Sequence, residues 1–284
     1  MRPSSALLRS RRLFAVLAAC IPAAIASGQG CPDVGFDAGS DCGWFGVQGN
    51  DGFGGGTFMR DAGGNPAWHL HTVFQDFGIG FFNQSDPAWV GDWTRFRQVT
   101  VSIDVKVDSI SFFGQSVARP WLVEFRDVDG ATGGYPWNSA WFRFGTISAA
   151  THGSWMTFSV TFDPRSAALP AGWRGSGAED PATYEPVLPA GVAFRDVMRG
   201  VDTVAFTTLQ PGMFFGFTDH SVRVDNIRVT GLLAADLDGN GSVGGSDLGV
   251  VLGAWGTGPG PADINLDGRV DGQDLGIVLG QWTG

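Results

Sequence analysis

The sequence is poor in several features that membrane insertion and common catalytic sites need. Its 284 residues include three cysteines and three glutamates, and it contains no G-x-S-x-G motif of the kind that presents a nucleophilic serine. After residue 30 it has no second apolar run near the roughly 20 residues that a membrane-spanning helix needs. These absences predict no membrane span after residue 30 and give no sign of a serine nucleophile.

Positive charge is also scarce. The chain has 28 acidic and 18 basic residues, and four of the basic residues belong to the first 30 positions, which contain no acid. The remaining chain therefore has 14 basic and 28 acidic residues, a net charge of −14. Such a surface repels phosphate backbones and attracts divalent cations. We expect no nucleic-acid partner.

Residues 1–30 have the organisation of an export signal. Four arginines precede the apolar run LFAVLAACIPAAIA, and small residues at Ala24–Ala26 offer a cleavage site. Two other export routes stay open, because Ser10–Phe14 resembles a twin-arginine signal and Leu17–Cys20 resembles a lipoprotein cleavage box. All three readings predict a secreted or cell-surface protein. Cys31 and Cys42 remain after cleavage, and an even pair in an exported chain predicts a disulfide.

Residues 31–231 alternate between apolar and polar side chains. In QVTVSIDVKVD, every second residue from Val99 to Val107 is apolar, and SWMTFSVTFDP repeats this period of two. No segment of this region sustains an apolar helical period over three turns. The pattern predicts a mainly β domain, a jelly-roll antiparallel β-sandwich.

Three short strings support a family resemblance for this domain. VGFDAGSDCGWFGVQGN near its start and VRVDNIRVTG at its end resemble the first and last strands of jelly-roll modules attached to extracellular proteins. GGNPAWHLHT is similar to laminin domain IV-like modules. The resemblance implies a module that binds sugars or other surface ligands, or one that only fills space.

Aromatic residues give the clearest indication of a ligand. Tyr135, Trp137 and Trp141 cluster in GGYPWNSAWF, and flat aromatic rings stack on sugar rings. We therefore predict a polysaccharide ligand at these three residues, with a role in the core as the alternative. Hydrolysis would need two carboxylates around the scissile bond, but Glu124 and Arg126 point the same way along a strand and predict a surface ion pair.

The last fifty residues contain one pattern twice. Each copy places oxygen-bearing side chains at positions 1, 3, 5 and 12 of a loop, with glycine at position 6, where the chain must turn sharply. Position 7 adds a backbone carbonyl. This spacing predicts two calcium ions, held by Asp236, Asp238, Asn240, Ser242 and Asp247 in the first loop and by Asp263, Asn265, Asp267, Arg269 and Asp274 in the second.

A short helix is expected after each loop. The helical spacing of apolar residues predicts one buried stripe per helix, made of Leu248, Val251, Leu252 and Trp255 and of Leu275, Val278, Leu279 and Trp282. Neither loop is preceded by a helix, since GTGPGPA before the second cannot be helical. The region from 232 to 284 is therefore expected to be a separate calcium-folded domain.

Loop plus exit helix, twice, with aspartate at position 12, resembles type I dockerin. The resemblance implies docking onto a cohesin-like or other surface scaffold protein. The positions before the final aspartate of each loop, where that family often has Ser-Thr, are Gly245–Ser246 and Gly272–Gln273 here, which weakens the case for the usual cohesin partner.

The sequence thus predicts a secreted protein with a ligand-binding β-sandwich and a calcium-binding tail. Two alternatives remain at this point. One is a polysaccharide-degrading enzyme, a hydrolase acting on O-glycosyl bonds, whose catalytic residues have no visible motif. The other is a structural or adhesive surface protein without a small ligand.

Overall fold

The computed structural model describes residues 30–47, 55–132 and 134–283. The predicted export signal, with its twin-arginine and lipoprotein alternatives, falls on residues 1–29 and lies outside the described residues. Within the described part of the chain, no helix has the length and apolar character needed to cross a membrane.

Most of the described chain is β-structure. In chain order the strands are β1 (Asp33–Val34), β2 (Trp44–Gly46), β3 (Gly56–Arg60), β4 (His69–Asp76), β5 (Gly80–Asn83), β6 (Phe96–Phe112), β7 (Gln115–Ser116), β8 (Arg119–Asp127), β9 (Asn138–Ile147), β10 (Met156–Phe162), β11 (Trp173–Ser176), β12 (Ala178–Glu179), β13 (Pro186–Val187), β14 (Thr203–Thr207) and β15 (Thr218–Leu233). The helices are α1 (Ala149–His152), α2 (Phe194–Arg199), α3 (Gly245–Gly253) and α4 (Gly272–Gly280), with a short 3-10 helix at Trp93–Arg95.

The strands form two antiparallel sheets that pack face to face. The first sheet has the order β10-β6-β15-β4-β3, with β1 paired to β15 and β7 paired to β6. The second sheet has the order β11-β9-β8-β14-β5-β2. The chain changes between these two sheets from β1 to β2, β2 to β3, β4 to β5, β5 to β6, β7 to β8, β9 to β10, β10 to β11 and β14 to β15, while β12 and β13 form a separate two-stranded pair. This repeated crossing is the connectivity of a jelly roll, so the predicted fold class is confirmed.

The core lies between the two sheets. The predicted apolar face of β6 is confirmed, because the alternate residues from Val99 to Val107 are at most 1% exposed. Large aromatic side chains fill the space opposite them. Five of the nine tryptophans before residue 232 are buried in this core, namely Trp44, Trp89, Trp93, Trp121 and Trp173.

A disulfide joins the beginning of the domain to the second sheet. Cys31 and Cys42 are bonded in the structure, with their Cα atoms 5.9 Å apart. The Cys31 carbonyl accepts a hydrogen bond of 2.9 Å from the Trp89 indole N–H, and its backbone N–H donates to Asp86. The first residues of the domain are therefore tied to its core.

The tail begins directly after β15 and has its own small core. Val251 of α3 and Val278 of α4 are fully buried there, together with Ala234, Ala235, Val243, Ala262, Ile264 and Val270. The two halves pair crosswise: Val243 of the first loop bonds to Thr283 after α4, and Val270 of the second loop bonds to Gly256 and Thr257 after α3. The doubled sequence thus forms two similar halves that complete each other.

The predicted apolar stripes of α3 and α4 are wrong in half of their residues. Val251 and Val278 are buried, but four others are well exposed: Leu252 by 53%, Trp255 by 50%, Leu279 by 56% and Trp282 by 43%. Two nine-residue helices form one thin layer, so each helix has a neighbour on one side only. The wider stripe has nothing in the described chain to pack against.

Candidate ligand cleft and metal loops

The outer face of the second sheet presents one straight row of side chains across six strands. Consecutive members of the row are register partners on neighbouring strands: Phe45, Phe82, Ala205, Glu124, Trp141 and Arg174. Because side chains alternate along a strand, all six point away from the core. The row contains three aromatic side chains, one alanine, one glutamate and one arginine.

Three connecting segments rise over this face and turn it into a cleft. They are 135–137, 184–186 and 209–213. Two adjoining cavities of about 500 and 510 Å³ lie beneath them and share Tyr184, Pro186 and the turn at 210–213. Small-molecule sites typically enclose about 300–1,000 Å³, so either cavity is large enough for a ligand.

A stack of planar groups forms the floor of the first cavity. The Arg126 guanidinium lies 4.4 Å from the centre of the Trp137 ring and 5.6 Å from that of Phe82. Its Nε and Nη2 atoms both donate to Glu124 Oε2, at 2.9 and 2.7 Å. The guanidinium is thereby fixed between two aromatic rings and a carboxylate.

The predicted surface ion pair of Glu124 and Arg126 forms, but it is not at the surface. The side chain of Glu124 is 2% exposed and that of Arg126 is 15% exposed. The covering segments bury the pair, and the sequence gives no local sign of them. A buried carboxylate without its partner is costly, so each group constrains the other.

The structure brings two of the predicted ligand residues together in the first cavity. Trp137 is half-buried, and Tyr135 is 39% exposed. The Tyr135 hydroxyl donates to Glu179 Oε1 at 2.7 Å, and this hydrogen bond raises the pKa of Tyr135. Both rings line the cavity wall.

Trp141 lines the second cavity and is less accessible than predicted. It lies within β9 rather than in the preceding loop, and it is 3% exposed. Its indole N–H is buried without a hydrogen-bond partner in the described chain. Arg143 and Arg174 line the same cavity. Trp141 therefore offers a ligand only a small edge of its ring.

All three glutamates of the chain line the two cavities. Glu124 is held by Arg126, Glu179 by Tyr135, and Glu185 by Arg174 at 3.2 Å. Each carboxylate therefore already accepts a hydrogen bond from another side chain of the cleft.

The first loop of the tail gathers three carboxylates. Oxygens of Asp236, Asp238 and Asp247 all lie within 4.8 Å of one another. Asp236 is 2% exposed and Asp247 is fully buried. Like charges at this separation repel, and a divalent cation among them would remove the repulsion.

Backbone N–H groups orient the last aspartate of each loop in the same way. Asp247 accepts from Leu237, Asp238 and Gly244. Asp274 accepts from the equivalent Ile264, Asn265 and Asp271. Burial acts to raise the pKa of Asp247, but the hydrogen bonds from these N–H groups outweigh it, so the pKa is lowered. Both carboxylates are therefore oriented toward the backbone of their own loops.

The second loop has the same plan with an amide at position 3. Asp263 accepts from Asp267 and Gly268, as Asp236 accepts from Gly239 and Gly241. Asp263 is 3% exposed and Asp274 fully buried, and neither carboxylate forms an ion pair within 4.0 Å in the described chain, although Arg165 donates to the Asp263 backbone carbonyl at 3.3 Å. A buried carboxylate without counter-charge is unfavourable. These oxygen donors, with the carbonyls at Ser242 and Arg269, fit a hard cation such as calcium.

Comparisons with known proteins add the following. No protein-family model matches the chain, and no curated protein matches it. Among solved structures, the chain is similar to a family 11 carbohydrate-binding module of the cellulosomal cellulase Lic26A-Cel5E of Clostridium thermocellum, at 15% identity and a TM-score of 0.40, covering 69% of this chain and 91% of that one. It is also similar to the C-terminal family 22 carbohydrate-binding module of Clostridium thermocellum Xyn10B, at 8% identity and a TM-score of 0.37, covering 72% and 96%. A third similar structure is the CBM22-1-CBM22-2 tandem domain of Paenibacillus barcinonensis Xyn10C, at 12% identity and a TM-score of 0.40, covering 72% and 49%.

Proposed function

We propose that this chain is an exported carbohydrate-binding protein whose β-sandwich holds a polysaccharide in the cleft over its second sheet. The observation that carries the proposal is the cleft itself: two adjoining cavities of about 500 and 510 Å³ lined by aromatic rings and fixed polar groups. The similar solved structures are titled carbohydrate-binding modules, but their TM-scores of 0.40 and 0.37 carry none of the argument.

The chemistry of the cleft suits a sugar chain. A pyranose ring has apolar C–H faces and a rim of hydroxyls, so it needs flat apolar surfaces next to hydrogen-bonding groups. Trp137, Phe82 and Tyr135 supply the surfaces in the first cavity. Glu124, Arg126 and Glu179 supply the polar groups beside them. A sugar ring would lie on the aromatic rings while its hydroxyls bond to the carboxylates and the guanidinium.

Binding without hydrolysis is the better reading of the three glutamates, because each is already bonded to an arginine or a tyrosine. The alternative, a hydrolase of O-glycosyl bonds, is favoured only by their presence in one cleft. Binding and hydrolysis predict different outcomes when the protein is incubated with a polysaccharide that retains it. A hydrolase releases reducing ends over time, and a binding module leaves the polymer intact.

The proposal is tested by a pull-down screen with insoluble and gel-embedded polysaccharides. Wild type should be retained by at least one polymer, and Trp137→Ala should lose most of that retention. Trp255→Ala, an exposed tryptophan on the tail, is the matched control and should be retained like wild type. Retention by no polymer, or equal retention of all three proteins, would overturn the proposal.

We further propose that the tail binds two calcium ions and attaches the protein to a scaffold or cell surface. The buried carboxylates of both loops support the metal part of this proposal. The exposed side chains of Leu252, Trp255, Leu279 and Trp282 support the attachment part, since exposed apolar patches commonly mark interaction surfaces. The attachment proposal is tested by measuring binding of the protein to a recombinant type I cohesin and to an extract of cell-surface proteins. Each binding experiment is run once with calcium and once with chelator. Calcium-dependent binding of wild type that is lost in Leu252→Asp would support the attachment proposal. Absence of binding to both the cohesin and the extract would contradict it.

A further inference from the structure

A partly open cavity of about 190 Å³ lies between the sandwich and the tail, away from the cleft. Four arginines line it, although the mature chain has only 14 basic residues: Arg95, Arg165, Arg195 and Arg199. One aspartate, Asp92, is the only acid of its lining. The wall on the tail side is formed by 264–266, Ile277 and Gln281. In so acidic a protein, this concentration of positive charge is the exception.

Three of the four guanidiniums have no carboxylate partner. Among the described residues, neither Arg95, Arg165 nor Arg195 has an acidic oxygen within 4.0 Å, and Arg199 has only Asp196 at 3.8 Å. Arg165 instead donates to the backbone carbonyls of Asp263 and Ile264, at 3.3 and 2.7 Å. Within the described chain, these three arginines therefore lack a carboxylate in direct ion-pair contact, although Asp92 lies in the same lining.

Burial makes this lack of a counter-ion costly. Loss of water lowers the pKa of Arg95, which means that its surroundings disfavour the charged form. Arg95 Nε is buried without a hydrogen-bond partner, as is Gln281 Oε1 on the opposite wall. Arg195 and Arg199 are four residues apart on α2, a spacing at which like charges repel.

We propose that this cavity, the arginine pocket, binds an oxyanion, a sulfate or carboxylate group, between the sandwich and the tail. A guanidinium offers paired N–H donors whose geometry matches the oxygens of such a group. The volume holds an inorganic oxyanion with a few waters, or one acidic sugar unit, but no longer chain. The anion would contact α2 and Arg95 of the sandwich and would neutralise Arg165, which holds the second loop.

Two sources could supply this group: a free inorganic anion or the acidic group of a sugar. Equilibrium dialysis of the full-length mature chain with labelled sulfate, and separately with glucuronate, distinguishes them. The calcium concentration is the same in all samples, and sodium chloride keeps the ionic strength constant. Glucose serves as the uncharged control ligand. The pocket predicts one site per chain for sulfate, glucuronate or both, and none for glucose.

The variants Arg195→Gln and Arg199→Gln should each weaken binding at least about tenfold, because each removes a charge-assisted hydrogen bond. Arg228→Gln removes one charge from an exposed pair with Asp33 on the first sheet and should bind like wild type. Circular dichroism confirms that each variant is folded. No site for either anion, or equal weakening in Arg228→Gln, would overturn the proposal. Both outcomes are independent of polysaccharide retention in the cleft.

Discussion

Arg97 Nη2 lies 3.4 Å from Asp236 Oδ2, so a strand of the sandwich contacts the first residue of the first metal loop. The Asp236 side chain is 2% exposed and that of Arg97 is 35% exposed. With Arg165 bonded to the carbonyls of the second loop, each loop is contacted by one arginine of the sandwich. The stability of the sandwich and the metal state of the tail should therefore be linked.

This link predicts opposite effects of Arg97→Gln with and without calcium. In chelator, removing the guanidinium leaves Asp236 buried without its counter-charge, and unfolding free energy should fall by about 1–3 kcal/mol. In calcium, the ion loses a competing positive charge, so affinity at the first loop should rise. Urea unfolding in both conditions measures this. Arg228→Gln, which breaks an exposed pair, should change stability by less than about 1 kcal/mol. A calcium affinity unchanged in Arg97→Gln would argue against the link.

Calcium stoichiometry tests the two loops separately. Isothermal titration of the full chain should give two ions, and Asp247→Asn or Asp274→Asn should each leave one, because each removes the buried carboxylate that closes its loop. Asp61→Asn, at an exposed position between β3 and β4, is the control and should keep both ions. Two ions retained in Asp274→Asn would show that the second loop does not use that carboxylate.

The ion pair in the cleft floor should be important for folding as well as for binding. Glu124→Gln leaves the Arg126 guanidinium buried without a charged partner, and we expect a loss of about 3 kcal/mol in unfolding free energy. Glu185→Gln, whose pair with Arg174 has both side chains more than 60% exposed, should cost less than about 1 kcal/mol. Denaturant titration of both variants measures the difference. Equal losses would contradict the buried character of the first pair.

These two pairs also show what the sequence could predict. In β6, apolar and polar residues alternate because one face of the strand packs on the core and the other does not. This period of two is visible in the sequence, so the strand can be predicted from the sequence alone. In β8, eight of nine residues are buried, so alternation no longer tells the two faces apart. Glu124 is buried there because segments 135–137, 184–186 and 209–213 cover it, two of which are distant in the chain, and no local pattern shows such coverage.

The candidate site follows the same division. The metal loops can be proposed from the sequence alone because all predicted ligands of one loop lie within twelve consecutive residues, and calcium binding by them stays a prediction. In the cleft, Tyr135 and Trp137 could be identified from their neighbourhood, but Phe82, Arg126 and Arg174 could not. Their contribution depends on the register of six strands that are distant in sequence. The burial of Trp141 in β9 depends on the same register.

Stability should fall as the solution is acidified from pH 6.5 toward pH 4. Burial lowers the pKa of His220 to about 4, and burial likewise lowers that of His71 to about 4. Between these values and the ordinary 6.5, the unfolded chain binds protons that the folded chain does not, so acid favours unfolding. Asp225 opposes this: burial raises its pKa to about 6, so its contribution is full below about 3.8 and is lost as pH rises through 6.

His220→Phe should remove part of this acid sensitivity. Both ring nitrogens of His220 are buried without partners in the described chain, so a phenyl ring leaves no hydrogen bond unmade. We expect the stability lost between pH 7 and pH 4.5 to shrink by about 2 kcal/mol. Urea unfolding at both pH values, in saturating calcium, measures it. The same loss in wild type and variant would show that His220 does not stay neutral in the folded chain.

The most direct measurement of the central claim is the affinity of the cleft for a soluble fragment of whichever polysaccharide retains the protein. Isothermal titration should show one binding site in wild type. Trp137→Ala should lose at least about tenfold in affinity, because stacking on an aromatic ring contributes on the order of 1 kcal/mol or more. The control Trp255→Ala should match wild type. Equal affinities of Trp137→Ala and wild type would place the ligand elsewhere and contradict the proposed cleft.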